Sequence, residues 1–475
     1  MRILLVKPKS RLRTIIALEG FQILEPLELG YLAAAVPAGH EVRVLDLRLE
    51  RFAERAFLRA LARFRPDLVG FTAYSHEGSI VKRFARAVRA VLPQARIVIG
   101  GHHATVAPDD LAVDAVDAVV RGEGCAPFRA IVEALAAGRD LTGIPQVLVR
   151  GADFSAADEA WPQFPNPSTL PIPRRDLWDP RSYRAIWLSG SHSNWQPLYR
   201  TVSLVRTSWG CRMKCSFCVV PFLCGGRHQP RPIESVVDEI AALPADHVYF
   251  CDDENFIDEQ FAGDLAEALA RRGVRKRYYA WTRATTVNRS PELLRRWGEL
   301  GLDAAFLGFE FPTDEELKRS HKGGTVAGNE RALDRLRGMG IAVHAAFMVQ
   351  PEHSEENFER LRRYVCDLPP AECSVTVCTP SPGTPSYAAI KPRIWVDNPF
   401  DFHDCMHPLT PTALPLWRFA ALFAAQVVEG VARTPRGERR PAPPLELLRV
   451  WRAQWRWQRA FRALYRDYPH ELWGL

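Results

Sequence analysis

The chain has 475 residues, 47% of them hydrophobic and 25% charged, with a formal net charge of +7 at pH 7. That length and apolar content point to a multidomain globular protein with two or three cores. The opening apolar run, Ile3 to Val6, is too short for a signal peptide or a membrane span, and the ten cysteines of an unsecreted chain are expected to be thiols or metal ligands in a reducing cytoplasm, which excludes a disulfide framework.

From residue 1 to about 150, short apolar runs alternate with amphipathic segments. RILLV (2–6), EVRVLDL (41–47), PDLVGFTAYS (66–75), ARIVIGG (95–101) and AVDAVVRG (115–122) read as buried strands, and 27–36, 52–64, 80–91 and 127–137 as the helices between them. This order predicts a doubly wound parallel sheet with its ligand at the carboxyl ends of the strands. Ser75, Gly100, Gly101, His102 and Glu123 fall at those ends. Gly100 and Gly101 leave room for a bulky ligand, while ordinary strand-end turns are the alternative for such a pair taken alone.

ILEPLELGYLAAAV, VGFTAYS and IVIGGHHATV resemble the cobalamin-binding domain that precedes many radical S-adenosylmethionine (SAM) domains. The resemblance implies a Rossmann-like cobalamin domain over 1–150, with Ser75, Gly100, Gly101, His102 and Glu123 against the cofactor and the glycine pair beside its nucleotide tail. Members that insert a histidine into the cobalt carry Asp-x-His-x-x-Gly. The nearest acidic stretch, DLRLER (46–51), holds no histidine, so the implied cobalamin is base-off without that axial ligand. His76, His102 and His103 are within reach of a corrin, with loop hydrogen bonding as the competing role.

Residues 151–200 mix Pro162, Pro165, Pro167, Pro171, Pro173 and Pro180 with Trp161, Trp178, Trp187 and Trp195. Neither a long helix nor a central strand tolerates this composition, and so many tryptophans predict an ordered connector packed against both domains.

The stretch SWGCRMKCSFC (208–218) then places Cys211, Cys215 and Cys218 at Cys-x-x-x-Cys-x-x-Cys spacing after the strand TVSLVRTS. A closed zinc site needs a fourth protein ligand, for which Cys224 is the nearest thiol. Three thiolates holding a [4Fe-4S] cluster instead leave one iron open to an external ligand. The spacing, with Phe217 before the last cysteine, resembles the signature of the radical SAM family. That resemblance implies that Cys211, Cys215 and Cys218 hold the cluster, that the open iron chelates SAM, and that Phe217 packs near the adenine.

Downstream, helices at 232–243, 258–272, from Ser290–Pro291, 325–338 and 354–366 alternate with the strands HVYFCDD, RYYAWTRA, AAFLGFE, IAVHAAFMV and SVTVCTP. With the strand before the cysteines this makes six strand units, a partial (β/α)6 barrel over 201–390 with its site at the strand carboxyl ends. Asp252, Asp253, Thr282, Arg283 and Glu310 fall there, where a solvated strand end is the ordinary alternative. The resemblance implies Asp252 and Asp253, in place of the family's Gly-Gly-Glu, as contacts of the SAM amino group. It also implies Glu310 as a ribose or methionine contact, and TPSPGTP (379–385) as the turn after strand six.

The paired cofactors imply a radical SAM C-methyltransferase, in which a 5'-deoxyadenosyl radical activates an sp3 carbon and methylcobalamin supplies the methyl group, with an electron donor protein as partner. From residue 433 onward ten arginines face four acids. Leu448, Trp451 and Trp455 recur on one side of a predicted helix within 391–475, and after Gln458 the series resumes with Phe461, Leu464 and Tyr465, flanked by Arg449, Arg452, Arg456, Arg459 and Arg462. An anionic membrane surface, a packing helix with a solvated arginine face, and RNA binding all suit this pattern.

The opening KPKSRLRTIIALEGFQILEPLELGYLAAA and HDCMHPLTPTALPLWRFAALF (403–423) resemble the hopanoid C-3 methylases. This implies a lipid substrate, a cytoplasmic enzyme peripheral at the inner membrane, and no nucleic-acid partner. Tyr387, Trp395, His403, Cys405 and His407 are pocket-lining candidates, with core or loop roles as alternatives. Competing functions are a peptide or antibiotic methylase and a porphyrin-type oxidative cyclase. A tRNA methylthiotransferase would bring three further cluster cysteines into the N-terminal domain, where only Cys125 stands, and a cobalamin sensor would need no cluster.

Overall fold

The computed structural model describes residues 1–152, 154, 166–187, 199–369, 371–432 and 444–474. They form two compact units, Met1–Leu12 with Glu25–Ser182, and Arg13–Leu24 with Tyr183–Leu475.

In the first unit the run RILLV is buried on both faces because alternate side chains enter separate cores. Leu4 and Val6 pack with Phe57, Phe71 and Phe84, whereas Ile3 and Leu5 pack with Phe128 and Ile131. The strands Glu41–Asp46, Arg2–Lys7, Leu68–Thr72, Arg96–Gly100 and Ala118–Val120 lie side by side in that order, all parallel. Val147–Val149 closes the edge antiparallel, an addition to the expected all-parallel sheet; its three residues are only half-buried and lack a continuous apolar signal. The chain winds to one side of Arg2–Lys7 and then to the other, so the topological switch beside that strand opens a crevice at its carboxyl end.

In the second unit, six parallel strands pair in sequence order: Tyr199–Val205, His247–Phe250, Arg277–Thr282, Leu302–Glu310, Ala342–Val349 and Glu372–Val377. Arg184–Ile186 and Gln22–Ile23 extend this half barrel antiparallel past its first strand. Val248, Phe250, Tyr278, Ala280, Leu307 and Phe347 enter the core shared with the helices. The alternate positions carry an aromatic layer on the opposite face of the sheet. There Tyr249 and Tyr279 stack at 4.5 Å, Trp281 lies 3.9 Å from Phe306, and the Tyr279 hydroxyl is 3.2 Å from His344 Nδ1.

The units divide the chain differently from the expected boundaries. Residues 13–24 leave the first domain because Gln22–Ile23 pairs with Arg184–Ile186 in the second unit's sheet. Residues 391–475 are not a separate region, since the helices Leu416–Ala432 and Pro444–Arg462 put Phe419, Phe423, Trp457 and Phe461 into the barrel core. Of the expected connector, Trp161, Pro162, Pro165 and Trp195 lie outside the described residues. Its other tryptophans are anchored within single units: Trp178 Nε1 donates to Glu25 at 3.1 Å in the first, and Trp187 Nε1 to Asp303 at 2.8 Å in the second.

His407 is not a pocket-lining residue. It is fully buried between Asp404 Oδ2 (2.9 Å) and Asp467 Oδ2 (3.3 Å), with Thr14 Oγ1 donating to Asp404 at 2.6 Å and Arg13 paired with Asp467. Burial alone would lower the histidine pKa, but Asp404 and then Asp467 outweigh it and hold His407 at about 9. Burial would likewise raise Asp404, yet His407 brings it to about 2. The folded histidine value lies above its ordinary 6.5, so its stabilisation is complete below that pH and is lost as pH rises through about 9. The Asp404 contribution is present above its ordinary 3.8 and fades as pH falls through about 2. Thermal melts should therefore show a stability gap between the native chain and His407→Gln that is wide near pH 6 and closes above pH 9; a gap unchanged across that range would disprove this assignment.

Candidate functional site

The cysteine loop leaves the strand Tyr199–Val205 and is fixed at both ends. Ser208–Trp209 pairs antiparallel with Gln229–Pro230, and Gly210 turns the chain at φ +88. A Cβ on Gly210 would collide with the Arg227 carbonyl oxygen and lie 2.7 Å from Cys224 Sγ, so only glycine fits. Further on, Ser216 N donates to the Ser320 carbonyl at 3.0 Å and the Ser216 carbonyl accepts from Ser386 N at 3.1 Å. The second of these bonds ties the loop to the helix Pro385–Ile390 that follows the TPSPGTP turn.

Cys211 and Cys215 are buried and Cys218 is partly so. Burial raises the Cys211 pKa and pushes Cys218 up to about 12, which disfavours both thiolates in the absence of a neighbouring cation. Arg283 Nη1 lies 3.4 Å from Cys215 Sγ and brings one fixed positive charge to the loop. The spare thiol of Cys224 faces the Cys211 carbonyl at 4.0 Å and packs against Gly210. Among the described residues no three His, Cys, Asp or Glu side chains already converge on one ion, the three loop cysteines included. Three thiols on one buttressed loop with an arginine at a sulfur fit a three-cysteine cluster.

The two aspartates after His247–Phe250 do different things. Asp252 is buried and clamps the entrance of the cysteine loop, accepting from Thr207 N (3.1 Å), Thr207 Oγ1 (2.8 Å), Ser208 Oγ (2.7 Å) and Ser208 N. Burial raises its pKa against these hydrogen bonds. Asp253 accepts from Gly210 N at 2.8 Å and Arg206 at 3.2 Å through Oδ2, leaving Oδ1 for a ligand. Of the expected pair, then, Asp252 is engaged through both oxygens and Asp253 through one. Glu254, two positions past Asp252, is buried and takes Thr282 Oγ1 (2.8 Å) and Arg283 N (3.3 Å), which fixes the arginine that reaches Cys215.

Glu310 ends its strand in the left-handed region, φ +66, just after a register shift at Gly308. Its carboxylate pairs with Lys322 Nζ at 2.6 Å, and both side chains are largely buried. A Cβ on Gly308 would lie 2.6 Å from Lys322 Nζ, so the bare backbone makes room for the pair. Arg283 Nη2 in turn donates to the Lys322 carbonyl, which links Glu310, Lys322, Arg283 and Cys215 around one strand-end opening. Phe217 packs beside Phe311, Leu317 and Met348 at the same end. Lys322 was not among the expected site residues; its signal was the lysine before Gly323–Gly324, both in left-handed turns.

In the first unit the expected residues also separate by role. Ser75 Oγ is 3.3 Å from His103 Nδ1, and His103 Nε2 is 2.9 Å from Asp110, so Ser75 and His103 brace one another. Glu123 accepts from Cys125 N at 2.8 Å and opens the helix Cys125–Ala136. A Cβ on Gly101 would meet Thr72 Oγ1 at 2.7 Å and Ala73 N at 3.0 Å, so Gly101 serves the crossing of strand ends. Gly100 has only Val120 near, at 3.8 Å, and keeps the opening wide. His102 Nδ1 is buried without a hydrogen-bond partner, and burial lowers this histidine to about 4, which keeps it neutral. Lys7, which sequence reasoning passed over, ends the first strand buried beneath Tyr74, its Nζ 4.5 Å from the ring and 3.1 Å from Glu28. Gly100, with only Val120 near, and His102, with its Nδ1 unpartnered, stand at the carboxyl end of Arg96–Gly100, two strands from Arg2–Lys7, and a strand end of this kind suits a large cofactor such as a corrinoid.

A doubly wound unit with this opening, and a half barrel whose first loop carries three cysteines, define a cobalamin-binding radical SAM enzyme. A B12 binding domain model matches residues 13–132, and a Radical SAM superfamily model matches 205–365. The hopanoid C-3 methylase of Methylococcus capsulatus is 30% identical over 424 residues, covering 88% of this chain and 78% of that protein. The chain belongs to the cobalamin-dependent radical SAM methyltransferase family, and its cofactors are a [4Fe-4S] cluster, SAM and cobalamin. An anaerobic magnesium-protoporphyrin IX monomethyl ester cyclase of Cereibacter sphaeroides is 27% identical, covering 86% of this chain and 65% of that one. The fold is that of the radical SAM methyltransferase TsrM from Kitasatospora setae, solved with cobalamin and a [4Fe-4S] cluster, at a TM-score of 0.65, 20% identity, and 98% and 99% coverage of the two chains.

Proposed function

We propose that the enzyme methylates a saturated carbon of a small lipid, C-3 in ring A of a hopanoid. The observation that carries this is the 30% identity, along most of both chains, to a protein named for that activity. The aromatic layer of Tyr249, Tyr279, Trp281 and Phe306 supports an apolar polycyclic substrate. When bound, the cluster with SAM supplies a radical able to take hydrogen from unactivated carbon, and methylcobalamin supplies the methyl group. Cys211, Cys215 and Cys218 hold the cluster. Asp253, Glu310 and Phe217 position SAM, with Asp252 fixing the loop from behind. Gly100, Gly101 and His102 line the cobalamin opening, and the cobalamin is base-off. A reducing partner protein completes the system.

A second reading, an oxidative cyclase acting on a porphyrin, draws on the 27% identity to the cyclase and on an aromatic layer that suits a conjugated macrocycle too. Lipid mass spectrometry separates them. In a hopanoid-producing host grown anaerobically, expression should add one methyl group to ring A, and Cys215→Ala should abolish the product. No methylated hopanoid from a protein carrying its cluster and cobalamin would sink the substrate assignment.

A further inference from the structure

The helix Pro444–Arg462 has two apolar faces, and packing uses only one of them. Ala453, Trp457, Ala460 and Phe461 are buried. Trp457 meets Phe21 edge-on at 5.6 Å, Phe461 lies 5.5 Å from Phe423, and Gly20 lets its loop close against Ala453. Leu445, Leu448, Trp451 and Trp455 stand outside, with 72, 41, 61 and 51% of their surface exposed. Their spacing of three, three and four residues makes one continuous stripe. The polar break at Gln458 marks where the apolar series passes from the outside to the inside of the unit, since Phe461 and Leu464 beyond it are buried.

A packing helix has therefore already satisfied its burial with residues outside this stripe. Single exposed hydrophobic residues are ordinary, but four large ones in a row on one helix are not. Arg449, Arg452, Arg456, Arg459 and Arg462 are exposed on the same helix, Glu446 is its one acid, and the Arg459 guanidinium lies 5.4 Å over the Trp455 ring. Leucine and tryptophan flanked by arginine match the boundary between acyl chains and anionic headgroups, where indole bridges both media and guanidinium pairs with phosphate.

We propose that this outer face docks the enzyme on an anionic bilayer, with the helix in the headgroup plane, Leu445, Leu448, Trp451 and Trp455 turned into the lipid, and the arginines on the phosphates. The charge of five arginines against one glutamate selects an anionic surface, and a row of leucines with tryptophans selects lipid over RNA. This inference stands apart from the choice of substrate.

The test is flotation of the full-length holoenzyme with vesicles of phosphatidylcholine alone or mixed with phosphatidylglycerol, monitored also by tryptophan emission. Binding to the mixed vesicles should be at least tenfold tighter and weaken with salt. Leu448→Ser/Trp451→Ser/Trp455→Ser should lose at least tenfold in affinity for them while keeping circular dichroism, iron content and cobalamin content. Replacing Arg449, Arg452 and Arg456 by Gln should erase the preference for anionic lipid. Equal binding by the native and triple-serine proteins, or no binding by the native one, overturns the proposal. So does a native dimer, or an RNA complex, that the triple-serine variant abolishes in the absence of any vesicle binding.

Discussion

Gly210→Ala should leave a chain that binds cobalamin but loads no cluster. The added methyl group has nowhere to go, because the Arg227 carbonyl and the Cys224 side chain occupy its position, and the backbone there is left-handed at φ +88. Neither the carbonyl nor Cys224, held against the Cys211 carbonyl, retreats without moving the cysteine loop. The backbone penalty and the overpacking together cost on the order of 3 kcal/mol, and relief comes most readily by displacing Cys211, the next residue. Iron and acid-labile sulfide per chain should fall to near zero after reconstitution, while the corrinoid spectrum of the purified protein persists. A full cluster in this variant would show that the loop tolerates a shape the structure does not allow.

Asp252→Asn should be the second severe change, and by a different route. The native carboxylate accepts from two backbone amides and two hydroxyls of Thr207 and Ser208. An amide keeps the volume but loses the charge and, in one orientation, faces those donors with its own NH2 group. Buried donors left without an acceptor cost about 1–3 kcal/mol each, so a loss of about 3 kcal/mol is expected. Denaturant unfolding should show it. Cluster occupancy should fall as well, because the clamp sits three residues before Cys211. By contrast, Asp253→Asn keeps one oxygen to accept from Gly210 N and should leave folding nearly intact while weakening SAM binding. Equal destabilisation by the two variants would contradict the division of labour between these neighbours.

Much of this was legible along the chain. Alternation of period two and period 3.6 marks the strands and helices because each element buries one face at its own spacing, and that period is a local property. The cysteine triplet is likewise local. Three thiols on eight residues, Cys211 to Cys218, share one loop whatever the rest of the chain does, and their spacing resembles the radical SAM signature without any knowledge of the fold. The absence of Asp-x-His-x-x-Gly is equally visible without a fold.

Tertiary structure decided what each side chain faces. Adjacent acids such as Asp252 and Asp253 look alike in sequence, yet one is consumed by amides 44 and 45 residues away and the other keeps an oxygen open. Ser75 and Glu123 fall at strand ends as expected, but a histidine and a helix terminus claim their polar atoms. Lys322 joins the site only because a loop returns it to Glu310 beside a glycine. The C-terminal helix makes the same point at larger scale. Its periodicity shows that apolar faces exist, but Phe21 and Phe423, distant in sequence, choose which of them is buried. Sequence period sets local geometry, whereas burial and hydrogen bonding are settled by partners that only the folded chain brings within reach.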